Sequence, residues 1–217
     1  MPDAGTNGQR WDHVPVELLG CFDRELVSIP GAVLVAAQCY AGHEAIVDGS
    51  VRLTFEDVES AMLEAVRAMM ALGVGPGTRV GLWAPTSARW IVAALGILGA
   101  GGVLVPINTR IKGEEAAYLL RRSGAAALLV APDFLGLNLL GQLRAADPDN
   151  PTLARAVTIS GAEAAAQCWS DFMAAGGAVS ASRAAANIVA IRPEQLSDIM
   201  FTSGTTGHPK GVMLTHG

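Results

Sequence analysis

Charge is scarce in this chain: Asp, Glu, Lys and Arg make up 16% of its 217 residues, against about a quarter in an average soluble domain. Nucleic acid and anionic membrane surfaces demand a clustered excess of Lys and Arg. Here the net charge is −5, the isoelectric point is near 5.3, and the densest basic pair is Arg121-Arg122. Neither kind of partner is expected. Cysteine is also sparse. Cys21, Cys39 and Cys168 are odd in number, far apart and without CxxC spacing, which indicates neither a disulfide framework nor a zinc site and points to a reducing cytoplasm. The start, MPDAGTNGQRWDH, lacks the apolar run after a basic opening that a secretory signal needs. Residues 1–14 read as a short disordered lead. One long uncharged run exists, Trp90 to Ile107, approaching the roughly 20 residues that span a bilayer. Gly96, Gly99, Gly101, Gly102 and Pro106 break it into helix, turn and buried strand, so no transmembrane segment is expected.

Apolar residues are abundant instead, at 51% with a mean hydropathy of +0.36. The chain holds one large domain or two small ones. Part of so apolar a surface is expected to meet a partner or further polypeptide, which makes association through it an expectation.

Local patterns give the fold class. Two short apolar runs flank Asp48-Gly49, a hairpin signal. Thr54 with Asp57 three residues on opens a helix as a capping box. Along that helix Phe55, Val58, Met62, Ala65, Met69 and Leu72 line one face, while Glu56, Asp57, Glu59, Glu64 and Arg67 take the other. After Gly73 and the Gly75-Pro76-Gly77 turn, RVGLWAP reads as an inner strand. The unit repeats with a helix over 87–98, strand 103–106, helix 114–122 and strand 126–132. Further expectations are a helix over 135–145, a strand over 156–159 and an alanine-rich helix over 162–175. The segment 176–193 reads as a surface connection. LSDIMF returns as a strand, and Thr215 is placed to cap a helix beginning at the end of the sequence. Strands alternating with short helices predict an α/β fold: a doubly wound, mostly parallel sheet with helices on both faces.

The most chemically loaded stretch is FTSGTTGHPKG, Phe201 to Gly211. A strand followed by a glycine-rich loop presents successive backbone N–H groups to an anion. Gly204 and Gly207 let the backbone curl around oxygens. The hydroxyls of Thr202, Ser203, Thr205 and Thr206 add directed hydrogen bonds, and Lys210 adds a mobile charge. A plain surface turn contains the same residue types, so composition alone leaves that alternative open. The stretch is not GxxxxGK[ST], because Pro209 precedes Lys210 and Gly211 follows it. The cluster from Gly99 is not GxGxxG, since Leu104 takes the sixth position. His208 reads as a solvated side chain, and His216 as a helix-start residue or a lining of a nucleotide pocket.

FTSGTTGHPKGV resembles the signature phosphate loop of the adenylate-forming, or AMP-binding, superfamily, which includes acyl-CoA synthetases, luciferases and peptide-synthetase adenylation domains. The stretch from LTFEDVESAM through VPINTRIKGEEAAYLLRRSGAAALLV is similar to that family's N-terminal subdomain. The likeness runs over residues 15–217, read as the N-terminal part of an adenylation domain. Thr205 and Asn108 resemble acid–CoA ligases more than peptide-synthetase domains. The resemblance implies a carboxylic-acid substrate, with a fatty acid the expected class, activated with ATP and Mg2+ to an acyl-adenylate and passed to coenzyme A. It implies that Thr202, Ser203, Gly204, Thr205, Thr206, Gly207 and Lys210 hold the β- and γ-phosphates. The family's adenine-contacting aromatic-Gly-x-Thr-Glu motif, ribose-binding Asp, hinge and C-terminal lysine have no counterpart here. An N-terminal portion of a longer enzyme, inactive alone, is therefore expected; a non-catalytic nucleotide- or partner-binding chain is the alternative.

Overall fold

The computed structural model describes residues 28–161, 163, 166–202 and 209–217; the expected 1–14 lead lies outside them. Helix α1 (Ile29–Tyr40) leads into a hairpin of β1 (Glu44–Asp48) and β2 (Val51–Thr54). Gly49 takes φ +57° in its turn, a conformation that favours residues without a side chain. The capping box then starts α2 (Phe55–Ala71): the Asp57 N–H donates to Thr54 Oγ1 at 3.2 Å, and the Thr54 N–H donates back to the Asp57 carboxylate at 2.9 Å.

From there strands and helices alternate. They are β3 (Arg79–Trp83), α3 (Ala88–Gly99), β4 (Val103–Pro106), α4 (Gly113–Ser123) and β5 (Ala127–Val130), then a small hairpin, β6 (Asp133–Phe134) with β7 (Leu137–Asn138). Helix α5 (Leu139–Ala146), β8 (Ala156–Thr158), β9 (Gln167–Cys168), α6 (Trp169–Ala175), α7 (Ala181–Val189), β10 (Leu196–Thr202) and β11 (Lys210–Thr215) complete the order. The main sheet runs β11-β10-β4-β3-β5-β8-β9. Every pairing in it is parallel except that of β10 with the edge strand β11.

Strand alternation divides the core into two layers, as a period of two residues requires. Val80, Leu82, Ala127 and Leu129 face a cluster with Met62, Val66, Met69, Ile97 and Ile188 of α2, α3 and α7. Trp83, Leu128 and Val130 face the opposite cluster with Leu119, Leu120, Leu140 and Leu143 of α4 and α5. The doubly wound sheet with helices on both faces is thus as expected. Tight packing explains several glycines. A Cβ on Gly96 of α3 would stand 2.7 Å from the Ala65 Cβ of α2.

Three expectations fail. Residues 135–138, expected to open a helix, turn and close the β6–β7 hairpin instead, with Leu135 at φ +53°, and α5 starts at Leu139. The segment 176–193 is not a bare connection. It holds a 3-10 turn (Gly176–Ala178) and α7, which buries Ala184 and Ile188 and whose Asn187 side chain donates to Gly99 O at 2.7 Å. The alanine-rich helix starts only at Trp169, after β9. Residues 210–215 form β11. The Thr215 hydroxyl donates to Gly217 O at 3.1 Å. Pairing with β10 supplies six residues of ladder. Among the described residues no helix is long and apolar enough to cross a membrane.

Candidate functional site

The loop singled out in the sequence is the connection of the β10–β11 hairpin. Thr202 and Lys210 lie directly opposite each other as the last pair of that ladder, after Phe201 and Gly211. They bring together the two ends of the stretch, and both are exposed. Ser203, Gly204, Thr205, Thr206, Gly207 and His208 lie outside the described residues. Gly211 is close-packed: a Cβ there would sit 2.9 Å from Ile199 Cγ2 and 3.4 Å from the Phe201 ring.

The mouth of this hairpin opens on a cleft of about 640 Å³ at the carboxyl ends of β3, β4 and β10. Ligands of open α/β sheets bind outside the carboxyl ends of the strands. Thr86 of the β3–α3 turn, Trp90 in the first turn of α3, Asn108 and Ile111 after β4, and Phe201 and Thr202 of β10 contribute to its walls. The wall after β4 is pinned in two places. The buried Trp83 indole N–H donates to Asn108 O at 3.2 Å, and Asn108 Oδ1 accepts the Arg110 N–H at 2.9 Å. Sequence reading missed Trp83; its one signal is that a buried indole N–H requires an acceptor.

A second cleft, about 570 Å³, lies at the ends of β3, β5 and β8. Asp48, Arg89 and Trp169 stand on its rim. Asp48 accepts the Ala88 N–H at 2.9 Å, and Arg89 donates to Ile159 O at 2.6 Å with its guanidinium 5.8 Å from the Trp169 ring centre. The Asp48 carboxylate and the Arg89 guanidinium are thus engaged within the fold.

His216 lines neither cleft. It is buried at the end of β11 remote from Lys210, where its ring accepts the Ile29 N–H. Among the described residues no group of three His, Cys, Asp or Glu side chains comes together in a metal-ligating arrangement.

This geometry has relatives. The chain is 40% identical over 192 residues to 3-[(3aS,4S,7aS)-7a-methyl-1,5-dioxo-octahydro-1H-inden-4-yl]propanoyl:CoA ligase of Rhodococcus jostii, covering 86% of this chain and 37% of that protein. It is 39% identical to the ligase of the same name from Mycobacterium tuberculosis, over 88% of this chain and 37% of that protein. This chain therefore spans well under half the length of these curated relatives. Among solved structures it resembles the anthranilate CoA ligase AuaEII in complex with anthranoyl-AMP, with a TM-score of 0.74 and 25% identity over 88% of this chain and 35% of that one. A Mycobacterium tuberculosis fatty acyl CoA synthetase gives a TM-score of 0.70 at 26% identity, over 87% and 34% of the two chains. The AMP-binding enzyme family matches residues 34–217, a stretch that includes both sheet layers, the cleft and the hairpin loop, and the chain belongs to that family.

Proposed function

We propose that this chain supplies the triphosphate-binding loop of an enzyme that activates a carboxylic acid with ATP and transfers it to coenzyme A. The observation that carries the reading is the hairpin: Thr202, which lines the cleft, is paired across the ladder with Lys210. The glycine- and hydroxyl-rich residues between them, Ser203, Gly204, Thr205, Thr206 and Gly207, are assigned to the β- and γ-phosphates with Thr202 and Lys210.

In the first step a carboxylate oxygen attacks the α-phosphorus. The new P–O bond forms as the bond to the β-phosphate bridging oxygen breaks, and pyrophosphate leaves. In the second step the coenzyme A thiolate attacks the acyl carbonyl and AMP leaves. Lys210 and the loop donors stabilise the charge that collects on the leaving pyrophosphate, a service that is electrostatic and positional. Each such donor is worth about 3 kcal/mol of barrier by analogy with other preorganised anion sites. Threonine and serine hydroxyls are oxygen donors that suit Mg2+, which typically binds through substrate phosphates and few protein oxygens; when bound it neutralises phosphate charge.

Fatty acids are one substrate class, since relatives at 31% identity include a rat long-chain-fatty-acid–CoA ligase. The wider margin to ligases of a fused-ring propanoate, 40% and 39%, favours a bulky alicyclic propanoate. ATP and coenzyme A chemistry, with cysteines lacking any framework spacing, supports a cytoplasmic location.

The test is ATP titration of the protein followed by Trp fluorescence, because Trp90 lines the cleft. Replacing both Thr205 and Lys210 by Ala is expected to weaken binding at least tenfold, on the order of the loss of one charge-assisted hydrogen bond. Unchanged affinity would overturn the loop assignment. The chain alone is expected to release no acid-dependent pyrophosphate. Stabilisation by acyl-adenosine sulfamates of the two acid classes separates the substrates, the alicyclic propanoyl compound giving the larger shift.

A further inference from the structure

The start of α1 is almost fully capped from within. Of its first backbone groups, the Gly31 N–H donates to Ser28 Oγ at 3.2 Å, the Ala32 N–H donates to Ser28 O at 2.8 Å, and Pro30 has none to offer. One orphan remains, the Ile29 N–H, and its acceptor comes from 187 residues away: His216 Nδ1 at 3.3 Å. The histidine is fixed from behind by a strand-like pair of bonds, His216 N–H to Gln195 O at 3.1 Å and Gly217 N–H to Pro193 O at 3.0 Å. The residue is only 9% exposed.

We propose that His216 is a proton-sensitive clasp that holds the start of α1 against the end of the β10–β11 hairpin. Nδ1 accepts a hydrogen bond only in the neutral ring with the proton on Nε2. Protonation places an N–H on Nδ1, facing the Ile29 N–H donor to donor. It also sets a positive charge at the positive end of the α1 dipole. Both effects open the clasp.

The surroundings set the direction of the response. Burial holds the His216 imidazole below the usual histidine range, and Asp198 on β10 opposes this by favouring the charged ring. Helix α1 carries no charged residue; Arg192 and Glu194 are the other charged groups of the segment bonded to the His216 backbone. A folded-state value below the unfolded one means that the unfolded chain takes the proton first. Stability from the clasp is therefore complete above the ordinary histidine value and declines as pH falls through it toward the folded value. This is independent of the function proposed for the hairpin loop, which lies at the other end of β11.

The experiment is an NMR pH titration of the 217-residue protein, following the His216 ring nitrogens and the Ile29 amide together. The expected result is one shared midpoint for both, lying below that of a free histidine peptide. Exchange protection at Ile29 then falls by up to roughly tenfold per pH unit between the free-histidine value and that midpoint, and levels off below it. His216→Asn keeps an acceptor near the Nδ1 position and removes the titration, so its Ile29 protection is expected to stay flat. Asp198→Asn is expected to move the wild-type midpoint to lower pH. A ring that titrates without any change at Ile29, or the same acid loss of protection in His216→Asn, would overturn the proposal. If His216→Asn does not fold, the coincidence of the two wild-type midpoints decides.

Discussion

The Thr54–Asp57 box shows how much one pair of side chains can do at a helix start. Thr54 Oγ1 accepts the Asp57 N–H, and the Asp57 carboxylate accepts both the Thr54 N–H and, at 2.8 Å, its hydroxyl. Losing a threonine cap of this kind costs about 1 kcal/mol, so Thr54→Ala is expected to lower the unfolding free energy obtained from urea melts by that amount. A pH dependence follows. The Thr54 backbone bond, with its side chain second, holds the Asp57 carboxyl below its ordinary value of 3.8. The stabilisation is therefore present above that value and lost as pH falls through it. Wild type should lose more stability than Thr54→Ala between about pH 5 and pH 3, measured by urea melts; equal losses would show that the box does not couple to folding. This pair was legible in sequence because its spacing is local. Trp83 was not: nothing in RVGLWAP announces that its indole N–H is bonded to a carbonyl 25 residues further on.

Among elements, α2 is the one the sequence described best, and the reason is its burial. Val58, Met62, Ala65 and Met69 from the expected stripe are all buried, whereas Phe55 and Leu72 at its ends are only half-buried. Met62 is fully enclosed between α2 and the sheet. Met62→Ala is expected to cost 2–5 kcal/mol, roughly the range for emptying such a site, read as a shift in the chemical-denaturation midpoint with unchanged slope. Helix α7 escaped notice because ASRAAANIV contains only one large buried apolar side chain, Ile188. Its signals were the Ser180 cap and the four-residue step from Ala184 to Ile188. Strand β11 was not legible because its pairing with β10 is a long-range fact. Long-range capping also governs α3, whose first N–H is held by Asp48 across 40 residues. Asp48→Ala leaves the buried Ala88 donor orphaned and is expected to cost about 1–2 kcal/mol. Asp48→Asn keeps both an acceptor and a turn-forming residue before Gly49 and should cost clearly less; the two variants compared in thermal melts check the cap.

At the scale of the whole molecule, the class of sheet was readable from alternation, but strand order was not, since it depends on which helix crosses which face. That order puts β11 at the edge. The consequence is an unusual apolar surface: Met213 is 67% exposed, and Val212, Leu214, Met200 and Leu196 are exposed beside it. Edge strands present unpaired backbone groups as well, and proteins ordinarily blunt them with charge. Here Lys210 is the single charged residue of β11 and stands at its loop end, which leaves the remaining five positions without a guard. The chain is therefore expected to self-associate as its concentration rises. Met213→Lys places a charge in the middle of the edge, where pairing with a second copy would have to desolvate it. Sedimentation velocity should show the wild-type average mass rising over a hundredfold concentration range, on the order of that needed to sample weak apolar contacts, with the variant remaining monomeric further up the series. A wild-type boundary that stays monomeric throughout would mean that the hairpin's apolar side chains do not drive association, whatever their exposure.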